Sequence, residues 1–183
     1  AFTGLLALVA ALGAIPIALR QIGEDRRLHA ITTFNDAFQK ICALSNDTRS
    51  ALDQLPGDCS LAQKVSTMIN SLSFNVEFVT RCERLAPDFI EPISMENIAY
   101  QVGKVGESME KLLGASEFTA TVGAPAWTEE FMVSLEFWTK QMLRNLSLLS
   151  GSKVAQGATG SLSASFQKFQ RIHGRRREGP ELP

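Results

Sequence analysis

The chain has 183 residues, of which 18 are Lys or Arg and 19 are Asp or Glu, for a formal net charge of −1. With 45% hydrophobic residues it is too apolar for an intrinsically disordered protein, and its charge balance excludes a strongly basic nucleic-acid binder. Three cysteines, Cys42, Cys59 and Cys82, with no CxxC pair, exclude a disulfide framework.

The first nineteen residues, Ala1 to Leu19, carry no charged side chain and are bounded by Arg20. As a helix at about 1.5 Å per residue they would reach roughly 28 Å, close to the ~30 Å hydrocarbon core of a bilayer. Phe2, Leu5, Leu6, Leu8, Val9, Leu12, Ile15, Ile17 and Leu19 together favour insertion by on the order of 3–5 kcal/mol. Thr3, Gly4, Gly13 and Pro16 take part of that back. Ala10, Ala14 and Ala18 recur at every fourth position, beside Ala7 and Ala11, and such a small-residue face permits close approach of another membrane helix. The reading is a transmembrane helix over residues 1–21, with Leu5, Leu8, Ala10, Leu12, Ala14, Ile17 and Ala18 forming its body and packing face. A signal peptide, a buried core helix and a hairpin partner in a pore-forming bundle are the competing readings; no Lys or Arg precedes the run, which weighs against the first. Arg20, Arg26, Arg27 and His29 follow the run, so the positive-inside rule places later residues in the cytoplasm, matrix or stroma, and the N-terminus outside.

Residues 22–150 read as a bundle of about four antiparallel helices. Leu28, Ile31, Phe34, Phe38, Ile41, Leu44, Leu52 and Leu55 set one stripe along a first helix, which begins near Gly23 and is stopped by Pro56-Gly57-Asp58. It can run on directly from the apolar segment, with Gly23 as a candidate hinge. A second helix starts near Ser60, with Asp58 or Ser60 as cap and Leu61, Val65, Met68, Ile69, Leu72, Val76 and Val79 as its stripe. Phe74 and Phe78 widen that surface, as in a helix touching two neighbours. Pro87 and Pro92 end it. A third helix is expected from Ser94, as N-cap, to Leu113, with Ile98, Val102, Val105, Met109 and Leu112 inward and Gly114 as its stop. Residues 115–127 then form a connection. Thr128 caps a fourth helix carrying Phe131, Leu135, Trp138, Met142, Leu146 and Leu149. Two glycosylation-type triplets, Asn46-Asp47-Thr48 and Asn145-Leu146-Ser147, fall inside predicted helices and read as chance.

The charge is unevenly spread. Residues 1–150 hold 12 basic and 17 acidic side chains, net −5, whereas residues 151–183 hold 6 and 2, net +4. Gly, Ser, Ala and Thr dominate residues 151–165, so residues 151–183 read as a flexible basic tail. Within it Phe166, Phe169 and Ile172 alternate with Lys168, Arg171 and the run Arg175, Arg176, Arg177. That pattern suits a basic amphipathic helix on an anionic lipid surface or an acidic partner, against a disordered solubilising tail; an Arg triplet on an acidic body points away from nucleic acid.

Catalytic patterns are sparse. The two histidines, His29 and His173, stand at opposite ends, and no phosphate-loop motif occurs. Gly103-Lys104-Val105-Gly106 lacks the strand that a phosphate loop follows. Glu107/Glu110 and Glu129/Glu130 read as solvated helix faces, Trp127 and Trp138 as packing residues. The expectation is an all-α, non-enzymatic protein without metal or cofactor. It would be an accessory, assembly or scaffold subunit of a membrane complex, contacting lipid and other membrane subunits. Over residues 1–55, the order of a Gly/Ala-rich apolar segment followed by a helical bundle resembles the helical cell-death domains of the fungal HeLo type. That likeness implies the alternative, a membrane-permeabilising effector whose N-terminal segment inserts on activation.

Overall fold

The computed structural model describes residues 2–55, 59–85, 87–122 and 129–177; within these, side chains are described outside 2–22, 26, 27, 59, 85, 89, 117–122 and 174–177. Five α-helices make up the described residues, with no strand: α1 (Phe2–Gln54), α2 (Ala62–Leu85), α3 (Pro92–Val122), α4 (Glu129–Leu148) and α5 (Lys153–Arg177). Short 3₁₀ turns, Cys59–Leu61 and Pro87–Phe89, lead into α2 and towards α3.

The helices run alternately up and down. Two hydrogen bonds fix the register of α2 against α4: Trp138 Nε1 donates to Ser66 Oγ (2.7 Å) and Asn145 Nδ2 donates to Ser73 Oγ (2.9 Å). Both partners advance by seven residues, so α2 and α4 lie parallel and share a side-chain repeat. Likewise Ser152, just before α5, and Ser161 within it donate to Glu96 (2.6 Å) and Glu110 (2.9 Å) of α3, making those two helices parallel. In cross-section α1, α2, α4, α5 and α3 form a ring, and α3 also reaches α4 across it.

The core follows the periodicity of α2 and α4. Val65, Met68, Ile69, Leu72, Val76 and Val79 are buried from α2, and Phe131, Leu135, Trp138, Met142 and Leu146 from α4. Full burial of each large aliphatic side chain contributes about 1.5–3 kcal/mol. Phe131 meets Trp138 edge-on, ring centroids 5.9 Å apart. Phe34, Ala37, Ile41, Leu52 and Leu55 supply the share of α1. Phe78 lies half-buried against this core, but Phe74 points to solvent with 71% of its surface exposed, so only one of the two widens the packed face.

Three boundaries differ from the sequence reading. First, α3 opens at Pro92 and not at a Ser94 cap. Proline fits the first helical position because its missing N–H would have no intrahelical partner there, and the Ser94 N–H donates to the Glu91 carbonyl (2.9 Å). Second, Gly114 does not stop α3, which continues to Val122. Leu112, Leu113 and Ser116 remain buried, and the Ser116 hydroxyl donates to the Leu113 carbonyl (2.6 Å), so packing overrides the stop signal.

Third, residues 153–177 are not a flexible tail but the fifth helix of the bundle. Buried Ser152 caps it, its Oγ accepting from the N–H groups of Val154 (3.1 Å) and Ala155 (3.3 Å). Among the residues that suggest a linker, Ala158 and Val154 stand against Gly103 of α3, while Gly157 and Gly160 lie on the exposed side of α5. A Cβ added at Gly103 would stand 3.6 Å from the Ala158 Cβ and 3.8 Å from Val154 Cγ1, and one at Gly106 would stand 3.7 Å from Leu146 Cδ1. These are ordinary contacts. Gly103→Ala and Gly106→Ala are therefore expected to be accepted and to stabilise by up to about 1 kcal/mol each through helix propensity, whereas leucine at either position drives α3 from α5 and lowers the melting temperature. Thermal melting followed by circular dichroism checks both directions.

Candidate functional site

At 53 residues, α1 is about 80 Å long, against about 36 Å for the 24 residues of α2 beside it. The two meet through the turn after Leu55, so α2 covers α1 back only to about residue 31. Glu24, Asp25, Leu28 and His29 are exposed, Leu28 at 62%, and Phe34 is the first described side chain of α1 to be buried. The helix is continuous through the candidate hinge Gly23, where an added Cβ would meet nothing within 4 Å. Along a straight axis Leu19 lies roughly 18 Å beyond the covered part of α1. A charged helical stem thus joins the apolar run to the bundle. The side chains of Leu5, Leu8, Ala10, Leu12, Ala14, Ile17 and Ala18 lie outside those described. Among the described residues, no helix is long and apolar enough to cross a membrane.

The end of the bundle from which α1 emerges also carries the α2–α3 and α4–α5 connections. There Glu83, Pro92, Met95, Glu96, Leu148, Leu149, Gly151 and Ser152 line an open cavity of about 180 Å³. This is below the ~300–1,000 Å³ of ordinary small-molecule pockets, and Glu96 within it is occupied by the Ser152 hydroxyl.

The opposite end carries the basic half of α5. Lys168 and Arg171 are exposed, while Phe166 and Phe169 are buried and stacked, centroids 6.1 Å apart; Phe169 also touches the His173 ring at 4.7 Å. Phe166 and Phe169, on the apolar face that a surface-lying amphipathic helix would offer to lipid, are turned into this protein's own core. Arg175, Arg176 and Arg177 close the same helix, their side chains outside those described.

Other singled-out residues take structural places. The Cys42 and Cys82 thiols are half-buried, and burial raises both above their ordinary pKa, which keeps them protonated and poorly nucleophilic near neutrality. Glu107 pairs with Lys104 (2.8 Å) and Glu110 accepts from Ser161. Glu129 and Glu130 stand exposed in the first turn of α4, where the helix dipole favours them. Asn145 is buried, so its triplet is closed to a modifying enzyme in the folded chain. Trp127 lies outside the described residues. No group of three or more His, Cys, Asp or Glu among the described residues could hold a metal ion. The polar locks were missed in the sequence, although their signal is there: Ser66 and Ser73 lie seven apart on α2, as Trp138 and Asn145 do on α4. No family model matches the chain, and no curated protein and no solved structure matches it.

Proposed function

We propose that this chain is a membrane-anchored helical scaffold, in which residues 1–19 of α1 sit in a bilayer and the five-helix bundle is carried beyond it as an accessory or assembly subunit. One observation carries the reading: α1 continues as a single helix from the uncharged run, through an exposed charged stem, into a bundle that meets it only near Phe34. The uncharged run has the length and composition to replace water by lipid. The Arg20, Arg26 and Arg27 cluster favours the bundle on the cytoplasmic, matrix or stromal side, and the alanine face favours helical neighbours within the membrane. Binding and not catalysis is the role proposed, through lipid and other membrane subunits.

Alkaline carbonate extraction of membranes from expressing cells tests this. The full chain is expected in the pellet and is released only by detergent. A chain lacking residues 1–19 is expected in the supernatant with the same thermal melt for its bundle. A full-length chain that washes off in carbonate overturns the anchor; if that soluble chain then makes liposomes leak, the permeabilising effector is the correct reading.

A further inference from the structure

The outward sides of α2 and α4 form one continuous face, held in register by the Trp138–Ser66 and Asn145–Ser73 hydrogen bonds. On α4, Glu130, Val133, Phe137, Lys140 and Arg144 follow one another at steps of three and four and so share one side of the helix. On α2, Phe74, Glu77, Arg81 and Arg84 do the same. Phe74, Val133 and Phe137 leave large apolar side chains in water. The two ends of the face differ in charge. Where α4 begins, Glu129 and Glu130 are exposed. At the opposite end exposed Arg81, Arg84 and Arg144 share one carboxylate, Glu77, which lies 2.6 Å from Arg81 and 3.6 Å from Arg144. Those two arginine side chains remain 68% and 61% exposed, so one carboxylate neither covers nor neutralises them. Between the ends Lys140 is paired with Glu136 (2.7 Å). Glu83 lines the end cavity instead, and Lys64 stands about 80° around α2 from Phe74. We propose that this face binds the same face of a second copy of the chain, with the two bundles antiparallel.

Charge and spacing together select that arrangement. The two cross-helix bonds set Phe74 level with Leu146, so Phe137 and Phe74 stand about 13 Å apart along the helices. A two-fold axis crossing the helices between them brings Phe137 level with the second copy's Phe74. Glu130 precedes Phe137 by seven residues and Arg81 follows Phe74 by seven. The same axis therefore brings Glu130 level with the second copy's Arg81. A parallel pair would set basic end on basic end and acidic end on acidic end, which repel. The face is about 30 Å long and about 20 Å wide, roughly 600 Å², close to the ~800 Å² per partner of a standard interface. Lipid suits it less, because it runs along the flank of the bundle and not across the end from which α1 emerges. The axis also sends α1 out of the two copies in opposite directions. The pair then joins copies held in two facing bilayers, a consequence that rests on the proposed anchor, whereas the pairing itself does not.

The test uses the full chain, one copy per neutral phosphatidylcholine nanodisc, or free in solution should it not incorporate, so that failure of the anchor and failure of this face are read separately. Sedimentation velocity is expected to show a concentration-dependent doubling of mass. The variant F74S/F137S is expected to weaken pairing by about tenfold or more with an unchanged thermal melt, since both side chains are exposed. Glu130→Arg and Arg81→Glu are each expected to weaken it by about two- to fivefold, and the two in one chain to restore it. Exposed Asn70 lies level with Met142, close to the axis. With Cys42, Cys59 and Cys82 replaced by alanine, N70C is expected to be linked to a second N70C by a short bismaleimide. A chain that stays monomeric at about 100 μM, a dimer indifferent to F74S/F137S, a charge swap that restores nothing, or a dimer in which N70C is not linked overturns the proposal.

Discussion

A chain ending after Ser150 should fail to fold cooperatively. It loses Ala155, Leu162, Phe166 and Phe169 from the core, together with the Ser152 and Ser161 hydroxyls that bond Glu96 and Glu110 of α3. Leu162, Phe166 and Phe169 alone contribute about 5–9 kcal/mol on burial, against a total stability of about 5–15 kcal/mol for a typical domain. The groove they leave on α3 and α4 bares Gly103, Gly106 and Leu146 to water. The truncated protein is expected to keep helical circular dichroism, lose its sharp melt, bind a hydrophobic dye and be cut rapidly by protease. A truncated chain that melts like the full one would show that α5 is not part of the core. The same comparison separates a fifth helix from a mobile tail, the two descriptions that composition and packing give of one segment.

Trp138→Ala should be the most damaging single substitution. Trp138 is fully buried, stands edge-on to Phe131 and donates its indole N–H to Ser66. Its removal opens a cavity where α4 meets α2 and is expected to cost about 3–5 kcal/mol. For a chain of this size that lowers the melting temperature by about 6–20 °C, at about 2–4 °C per kcal/mol. Trp138→Phe keeps most of the ring contact and frees the half-exposed Ser66 hydroxyl to water, so a cost of about 1 kcal/mol is expected. Ser66→Ala leaves the buried indole N–H without its acceptor and is expected to cost about 1–3 kcal/mol. Denaturant unfolding of the three variants gives the ordering; equal losses for alanine and phenylalanine would place the stabilisation in the hydrogen bond and not in packing.

Where a helix presents one simple apolar stripe, the sequence is a sufficient guide. Phe131, Leu135, Trp138, Met142, Leu146 and Leu149, read at steps of three and four, are all buried, as are Val65, Met68, Ile69, Leu72, Val76 and Val79 on α2. α5 defeats that guide because its inward face near α3 is built from Ala155, Ala158 and small neighbours. Local propensity counts the glycines and serines as flexibility, while Ala158 packs against Gly103 of α3 and Gly157 and Gly160 ride on the exposed side of the helix. Gly114 misleads in the same way: a stop signal worth about 1 kcal/mol yields to the burial of Leu112, Leu113 and Ser116 around it. At the candidate sites, charge was legible and direction was not. Lys168 and Arg171 announce a basic segment, but only the packing of Phe166 and Phe169 assigns its apolar side to the core.

The proposed anchor requires α1 to carry its uncharged run into lipid and its stem out of it. Nitroxide labels placed by Leu12→Cys and Leu28→Cys, with Cys42, Cys59 and Cys82 replaced by alanine, read this directly in reconstituted bilayers. The label at position 12 is expected to be accessible to molecular oxygen and shielded from a water-soluble nickel complex, and the label at position 28 to show the reverse. A label at position 12 that is reached by nickel as readily as the one at 28, or that is shielded from both reagents inside protein, would contradict it.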